Sequence, residues 1–301
     1  MAEYYWGIDL GGTKIECAVL SYKDDKCVLR ERIATEGEQG YQHVLGQIKT
    51  LVGRCTALIG EQPCAIGFGT PGTLDPSAQV MKNCNSTHLN GQPLHHDLEA
   101  LLGVTVRLAN DANCFALAET HLGAVKQSEI QAETVFGIIM GTGVGAGIVV
   151  NGHILYGCHG IAGEWGHNLL ESGGKDCYCG KSGCVETVLS GKALERYYTS
   201  QTGDTLSLPE IVVLSQQGNV NALQTLERLY ANFGIAVASI INVLDPDVIV
   251  IGGGVGNIGG IYTEGKKAIL PHLFNPEVKT KIMKPLLGDS AGVFGAAMLV
   301  K

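Results

Sequence analysis

The chain has 301 residues, and its 21 basic and 29 acidic side chains give a formal net charge of -8. That length suffices for two cored domains, and the acidic balance argues against general nucleic-acid binding, which needs clustered Lys and Arg. With 45% hydrophobic and 17% charged residues, no low-complexity run and no stretch near eighteen uninterrupted apolar residues, disorder and a membrane span are both excluded as expectations.

The start "MAEYYWGIDLGG" lacks a basic region followed by a long apolar run, which predicts a cytoplasmic protein. In a reducing compartment ten cysteines point to free thiols or metal ligation. "GIDLGGTKIECAVL" (Gly7 to Leu20) reads as a strand, a Gly-rich turn and a second strand. A helical pattern follows over Tyr41 to Ile59, then a buried strand "CAIGFG", a Gly/Pro loop "TPGTLD" and a helix from about Leu94. The strand "VTVRLA" runs into "NDANCFALAETHLG", where Asn110 or Asp111 can cap a helix. "GIIMGTGVGAGIVV" (Gly137 to Val150) repeats the first layout, matching it glycine for glycine at the start and the turn. This reads as an internal duplication, one strand-turn-strand unit opening each domain. The copies differ in that Asp9 becomes Ile139 and Lys14 becomes Val144. A long helical pattern "ALQTLERLYANFGIAVASIINVL" then leads through "DPD" to the strand "VIVIGGG", and "SAGVFGAAMLVK" is a last helix. Alternating strands and helices define the α/β class.

Gly-rich turns suit phosphate chemistry because backbone N–H groups with no Cβ beside them can reach phosphate oxygens. The first turn offers Gly11, Gly12, Thr13 and Lys14, with Asp9 placed to hold Mg²⁺ through water; the second offers Gly141, Thr142 and Gly143. A hairpin whose turn simply needs positive φ accounts equally well for either one alone. Two at matching places fit a grip on a polyphosphate from opposite sides. "GVGNIG" (Gly254 to Gly259) satisfies the dinucleotide pattern G-x-G-x-x-G, but too little chain follows it for a dinucleotide domain. Adenosine resting on the Gly252 to Gly254 turn, against Gly253 and Gly254, fits better than NAD.

Asp111, at a strand-to-helix junction, is either a helix cap or a general base toward a substrate hydroxyl, and Asn110 beside it can donate to and accept from a neighbouring hydroxyl. His167, Cys177, Cys179 and Cys184 form H-x9-C-x-C-x4-C, one imidazole and three thiolates, suited to closed tetrahedral Zn²⁺; unliganded thiols are the alternative. With no ligand left over for an activated water, the site is expected to be structural. Glu164, three residues before the histidine, and Glu186, two after the last cysteine, would be fixed by the same metal. His167 could then present its second ring nitrogen to a substrate hydroxyl.

Taken together, "DLGGTK", "NDANC", "GTGVGAG", "GEWGH", "CYCGKSGCVET" and "DPDVIVIGGG" resemble the motifs of the ROK family of sugar kinases, in the family's order and along essentially the whole chain. The resemblance implies a two-domain actin/hexokinase-like (ribonuclease H-like) fold with ATP and sugar in the cleft between domains. The domains fall at 1-117 plus 290-301 and at 118-289. It further implies Asp111 as catalytic base, Asn110, Glu164, His167 and Glu186 as sugar contacts, with Thr87 as a further one, and His167, Cys177, Cys179 and Cys184 as zinc ligands. ATP, Mg²⁺ and a structural Zn²⁺ are the implied cofactors and a homodimer the implied assembly. The family's repressor branch carries an added helix-turn-helix, for which no room is expected before the first strand. "KNCNSTHLNGQPL", "RLANDANC", "AGEWGHNLL" and "CYCGKSGCVET" are most similar to bacterial fructokinases that also accept mannose, which makes 6-phosphorylation of fructose the expected reaction. N-acetylglucosamine kinase and glucokinase are the alternatives within the family, and a non-catalytic sugar sensor is the alternative outside it.

Overall fold

A computed structural model describes residues 2-301. The chain divides into two compact units: an N-terminal one running to Gln127 with His153–Ala162 and Leu287–Lys301, and a C-terminal one of Ser128–Gly152 and Gly163–Leu286.

In the N-terminal unit, β1 (Tyr4–Leu10), β2 (Lys14–Ser21) and β3 (Cys27–Ala34) form an antiparallel meander. Helix α1 (Tyr41–Ile59) leads to β4 (Ala65–Thr70), which lies parallel to β1. The short ribbon of β5 (Thr73–Leu74) and β6 (Met81–Lys82) precedes α2 (Leu94–Leu102) and β7 (Thr105–Asn110), parallel to β4. The sheet order is β3-β2-β1-β4-β7. Helix α1 forms where expected because Val44, Leu45, Ile48, Leu51, Val52 and Cys55 recur at helical spacing and are buried, while Gly60 closes it in the left-handed region.

Helices α3 (Asp111–His121) and α4 (Ala124–Gln127) follow. The expected domain boundary at 117/118 falls inside α3, so the unit instead continues past that helix. The chain's last helix, α11, returns to this unit: a Cβ added at Gly7 or Gly67 would lie 2.3 Å or 1.8 Å from its backbone, and one at Gly295 would lie 1.8 Å from the Cys114 carbonyl of α3. Glycine on both strands and on the helix permits this close approach.

The C-terminal unit repeats the plan. β8 (Thr134–Met140) pairs antiparallel with β9 (Val144–Val150), and β11 (Val248–Gly252) runs parallel to β8 and to β12 (Lys281–Met283). β10 (His153–Ile154) lies in the His153–Ala162 segment of the N-terminal unit; within the C-terminal unit the order is β9-β8-β11-β12, position for position that of β2-β1-β4-β7. The duplication legible in two hairpins therefore extends to four strands of each sheet. Helices α5 (Val185–Leu189), α6 (Gly191–Thr202), α7 (Leu208–Gln216) and α8 (Val220–Leu244) lie between β10 and β11; α9 (Gly253–Gly256) and α10 (Glu264–Lys267) follow β11, and α11 spans Ala291–Met298. Along α8, Ala222, Leu226, Leu229, Phe233, Val237 and Ile241 are buried at three- and four-residue spacing. The "DPD" segment is a fastener: Asp247 accepts from the backbone N–H groups of Glu133 and Thr134, both at 2.9 Å, tying the start of β8 to that of β11. No helix among the described residues is long and apolar enough to cross a membrane.

Candidate active site

Asn110, not Asp111, caps α3, its side-chain oxygen accepting from the Asn113 N–H at 2.8 Å. Asp111 is thereby released from capping; it opens the helix, solvent-accessible, with one carboxylate oxygen accepting from the Ala112 N–H at 2.7 Å. Although the residue reaches solvent, loss of hydration among the surrounding atoms raises its pKa above the ordinary carboxylate range, against the lowering effect of backbone hydrogen bonds from Ala112 and its own N–H. Capping uses one lone pair of the Asn110 oxygen, which leaves its amide N–H groups and the second lone pair for a neighbouring hydroxyl.

Asp9 sits near the end of β1, opposite Glu16 on one side and Gly69 on the other. Burial, then the Asp111 and Glu16 charges, raise its pKa to about 6, with Lys14 and Arg32 pulling the other way. Lys14 does not stay in the turn. It is the first residue of β2, with its ammonium 3.7 Å from Glu16, a fully buried carboxylate also held by Arg30 and Arg32 at 2.8 Å each. Glu16 and the two arginines gave no signal in the sequence because they come from two strands brought into register. Thr87 is exposed in a one-turn 3-10 helix, whereas the Ser86 hydroxyl faces Gly12, 3.3 Å from where its Cβ would be.

In the C-terminal unit a cavity of about 640 Å³ joins the second turn, Gly141 and Thr142, to Gly254, and is walled by Gly191, Lys192 and Glu195 of α6, Leu208, Pro209 and Val212 of α7, and Asn257 and Ile258. Gly141 and Gly254 have no positive φ, and a Cβ at either would meet nothing within 4 Å. Neither chain geometry nor packing demands glycine at these two places. Gly143 also lacks positive φ, so turn strain does not account for the second hairpin, although a Cβ at Gly143 would lie 2.5 Å from the Glu186 carboxylate. What remains is a cradle with open space where side chains would stand, suited to close approach by a polyphosphate. Gly253 differs: at φ +80° and 2.3 Å from the Met140 carbonyl, it is required by the backbone itself. The α6 and α7 walls were missed because an apolar helix face reads the same whether it covers core or ligand.

The "GEWGH" loop is anchored at its centre. Trp165 is buried edge-on to Phe136 and donates its indole N–H to the Ala236 carbonyl of α8 at 3.3 Å. Gly163 and Gly166 let the loop touch β9: their Cβ atoms would come 2.6 Å from the Ala146 carbonyl and 2.1 Å from that of Val144. Glu164 and His167 flank this anchor.

The ligand atoms of His167, Cys177, Cys179 and Cys184 lie within 4.8 Å of one another. Nδ1 of His167 is 3.5 Å from the Cys177 sulfur, and the Cys179 and Cys184 sulfurs are 3.6 Å apart. Tetrahedral zinc with bonds of about 2.0–2.3 Å requires edges of roughly 3.5–3.8 Å. The cluster is thus compatible with structural zinc, held through Nδ1 and three thiolates. Gly183 could carry no side chain, since its Cβ would lie 1.7 Å from the Glu171 carbonyl. Arg228 of α8 braces the same loop by a two-pronged contact with Glu171 at 2.9 and 3.0 Å. Cys184 is the N-cap residue of α5, and Glu186 lies in that helix's first turn, one oxygen accepting from the Val144 N–H at 2.9 Å. The His167 Nε2 expected to face a substrate is instead 3.0 Å from the Tyr178 hydroxyl.

Duplicated sheets of matching strand order, each opening on a Gly-turn hairpin, are the arrangement of the actin/hexokinase-like fold. The sequence pattern of the ROK family matches residues 5–301, and the chain belongs to that family. It is 38% identical over 306 residues, 98% of each chain, to the N-acetyl-D-glucosamine kinase of Haemophilus influenzae, and 37% identical over 305 residues, again 98% of each, to that of Pasteurella multocida. Among solved structures it is similar to the ROK hexokinase of Thermus thermophilus, with 34% identity, 98% and 97% of the chains covered and a TM-score of 0.87. It is also similar to a ROK glucokinase of Streptomyces griseus in complex with glucose and AMPPNP, with 26% identity, 98% of each chain covered and a TM-score of 0.79. The fold is that of the family's ATP-dependent sugar kinases. The relatives bear the name of the alternative sugar and not of fructose.

Proposed function

We propose that this protein transfers the γ-phosphoryl group of ATP to the 6-hydroxyl of a hexose. The observation that carries this reading is the cradle of Gly141 and Gly254, two glycines with ordinary φ and open Cβ space in a cavity of nucleotide size. Asp111 accepts the proton of the 6-hydroxyl as its oxygen attacks the γ-phosphorus, and ADP leaves from the opposite side. The raised pKa of Asp111 improves it as a base, since a more basic carboxylate takes the proton further in the transition state. Asp9 is the residue that would hold Mg²⁺, which would supply positive charge against the phosphates. Asn110 donates from its amide, and Glu164, His167 and Glu186 supply further polar groups for the sugar. Zinc, held by His167 and the three cysteines, would keep the last three in place.

N-acetyl-D-glucosamine is the first candidate substrate, supported by relatives of that name at 34–38% identity across essentially the whole chain. D-Fructose is the second, supported by the "NSTHLNG" and "EWGHNLL" segments that resemble fructokinases. An ADP-release assay with ATP, Mg²⁺ and N-acetylglucosamine, fructose, mannose, glucose and N-acetylmannosamine ranks them by kcat/KM. Turnover with none of these would return the protein to the sugar-sensor reading.

A further inference from the structure

Tyr178 was given no role by its sequence, yet it stands among three residues assigned to the sugar. It lies between two of the metal-site cysteines, and at 70% exposure it is among the most exposed large side chains of the protein. Its hydroxyl is 3.0 Å from Nε2 of His167, and the two rings meet edge to face at 5.1 Å and 89°. Glu186 and Glu164 lie near enough for their charges to act on the same phenol.

The neighbouring backbone is held. Cys177 donates its N–H to the Lys181 carbonyl at 2.8 Å, Gly180 donates to the Cys177 carbonyl at 3.1 Å, and Asp176 pairs with Ser182. Were the sulfurs on either side to hold a metal, Tyr178 would change position only by rotating its side chain. His167 has equally little freedom. Nδ1 faces the cysteines, so a zinc-bound imidazole carries its proton on Nε2 and has one N–H to donate outward.

We propose that the Tyr178 hydroxyl competes with a hexose hydroxyl for the place at His167 Nε2, and that the phenol rotates out to admit the sugar. The inference rests on the reading of Glu164, His167 and Glu186 as the sugar pocket. Sugar binding then exchanges one hydrogen bond for another instead of gaining one. An exposed aromatic is suited to this because its ring is anchored by a single edge contact and one hydrogen bond, each worth little net free energy in water.

The test is calorimetric titration of zinc-loaded wild type and Tyr178→Phe, without ATP, using the hexose of highest kcat/KM. Removing the competing hydroxyl should lower Kd by about 3- to 10-fold, the effect of one net hydrogen bond. Equal or weaker binding by the variant would overturn the proposal. A second measurement needs no variant: the ¹³Cζ resonance of Tyr178 in wild type should shift when the hexose is added, and a resonance that stays put would also overturn it. Failure of every hexose to bind wild type would instead remove the sugar-pocket reading beneath it.

Discussion

Gly141→Ala separates ligand space from folding space within one hairpin. The added methyl meets no protein atom within 4 Å, and φ at this residue is not in the left-handed region. Folding should therefore be undisturbed or slightly favoured, since alanine restricts the unfolded chain by about 0.4–1 kcal/mol. The methyl would instead stand in the cavity against the bound nucleotide. Gly141 cannot retreat, because its N–H donates to the Gly143 carbonyl at 2.9 Å and its own carbonyl accepts from Gly191 at 2.8 Å. Forcing a methyl into a filled site costs about 1–3 kcal/mol, which corresponds to a rise of about 5- to 150-fold in KM for ATP. Gly166→Ala is the counterpart, since its Cβ would come 2.1 Å from the Val144 carbonyl; that variant should lose thermal stability outright. Thermal melts and steady-state kinetics on both proteins check the pair. If Gly141→Ala bound ATP normally, or lost stability as Gly166→Ala should, the cradle would not be a nucleotide site.

Asp111→Ala should retain the fold, because Asn110 does the capping, and lower kcat by the ~10²–10⁴-fold typical of a general base; near-normal turnover would remove Asp111 from that role. Cys179→Ser should reduce zinc content measured by plasma mass spectrometry and raise KM for the sugar, since Glu186 follows the cluster directly; wild type that contains no zinc when prepared without chelator would sink the brace. Activity should fall as pH drops through about 6, because a carboxyl with a raised pKa is protonated at higher pH than usual and the neutral Asp9 no longer favours Mg²⁺. Raising the Mg²⁺ concentration should move that acidic limb to lower pH, and a limb indifferent to Mg²⁺ would exclude Asp9 as its origin.

What could be determined from the sequence alone was whatever is encoded at short range. Tyr41 to Ile59 is a helix because its apolar spacing is local, and the two hairpins are recognisable because a Gly-rich turn between β-branched strands needs no distant partner. The Cys/His cluster was legible for the same reason: three of its four residues fall within eight positions, Cys177 to Cys184. Tertiary structure decided the rest. Only the sheet register puts Arg30 and Arg32 on the buried Glu16, only the packing of α11 explains Gly7 and Gly67, and the boundary near 117 moved because α3 is one unbroken helix. Most of all, a glycine code letter is the same whether backbone, packing or ligand demands it. Gly253, Gly166 and Gly141 share that letter, and only the surrounding atoms show that the first answers to its φ, the second to a carbonyl oxygen, and the third to space that the protein itself does not fill.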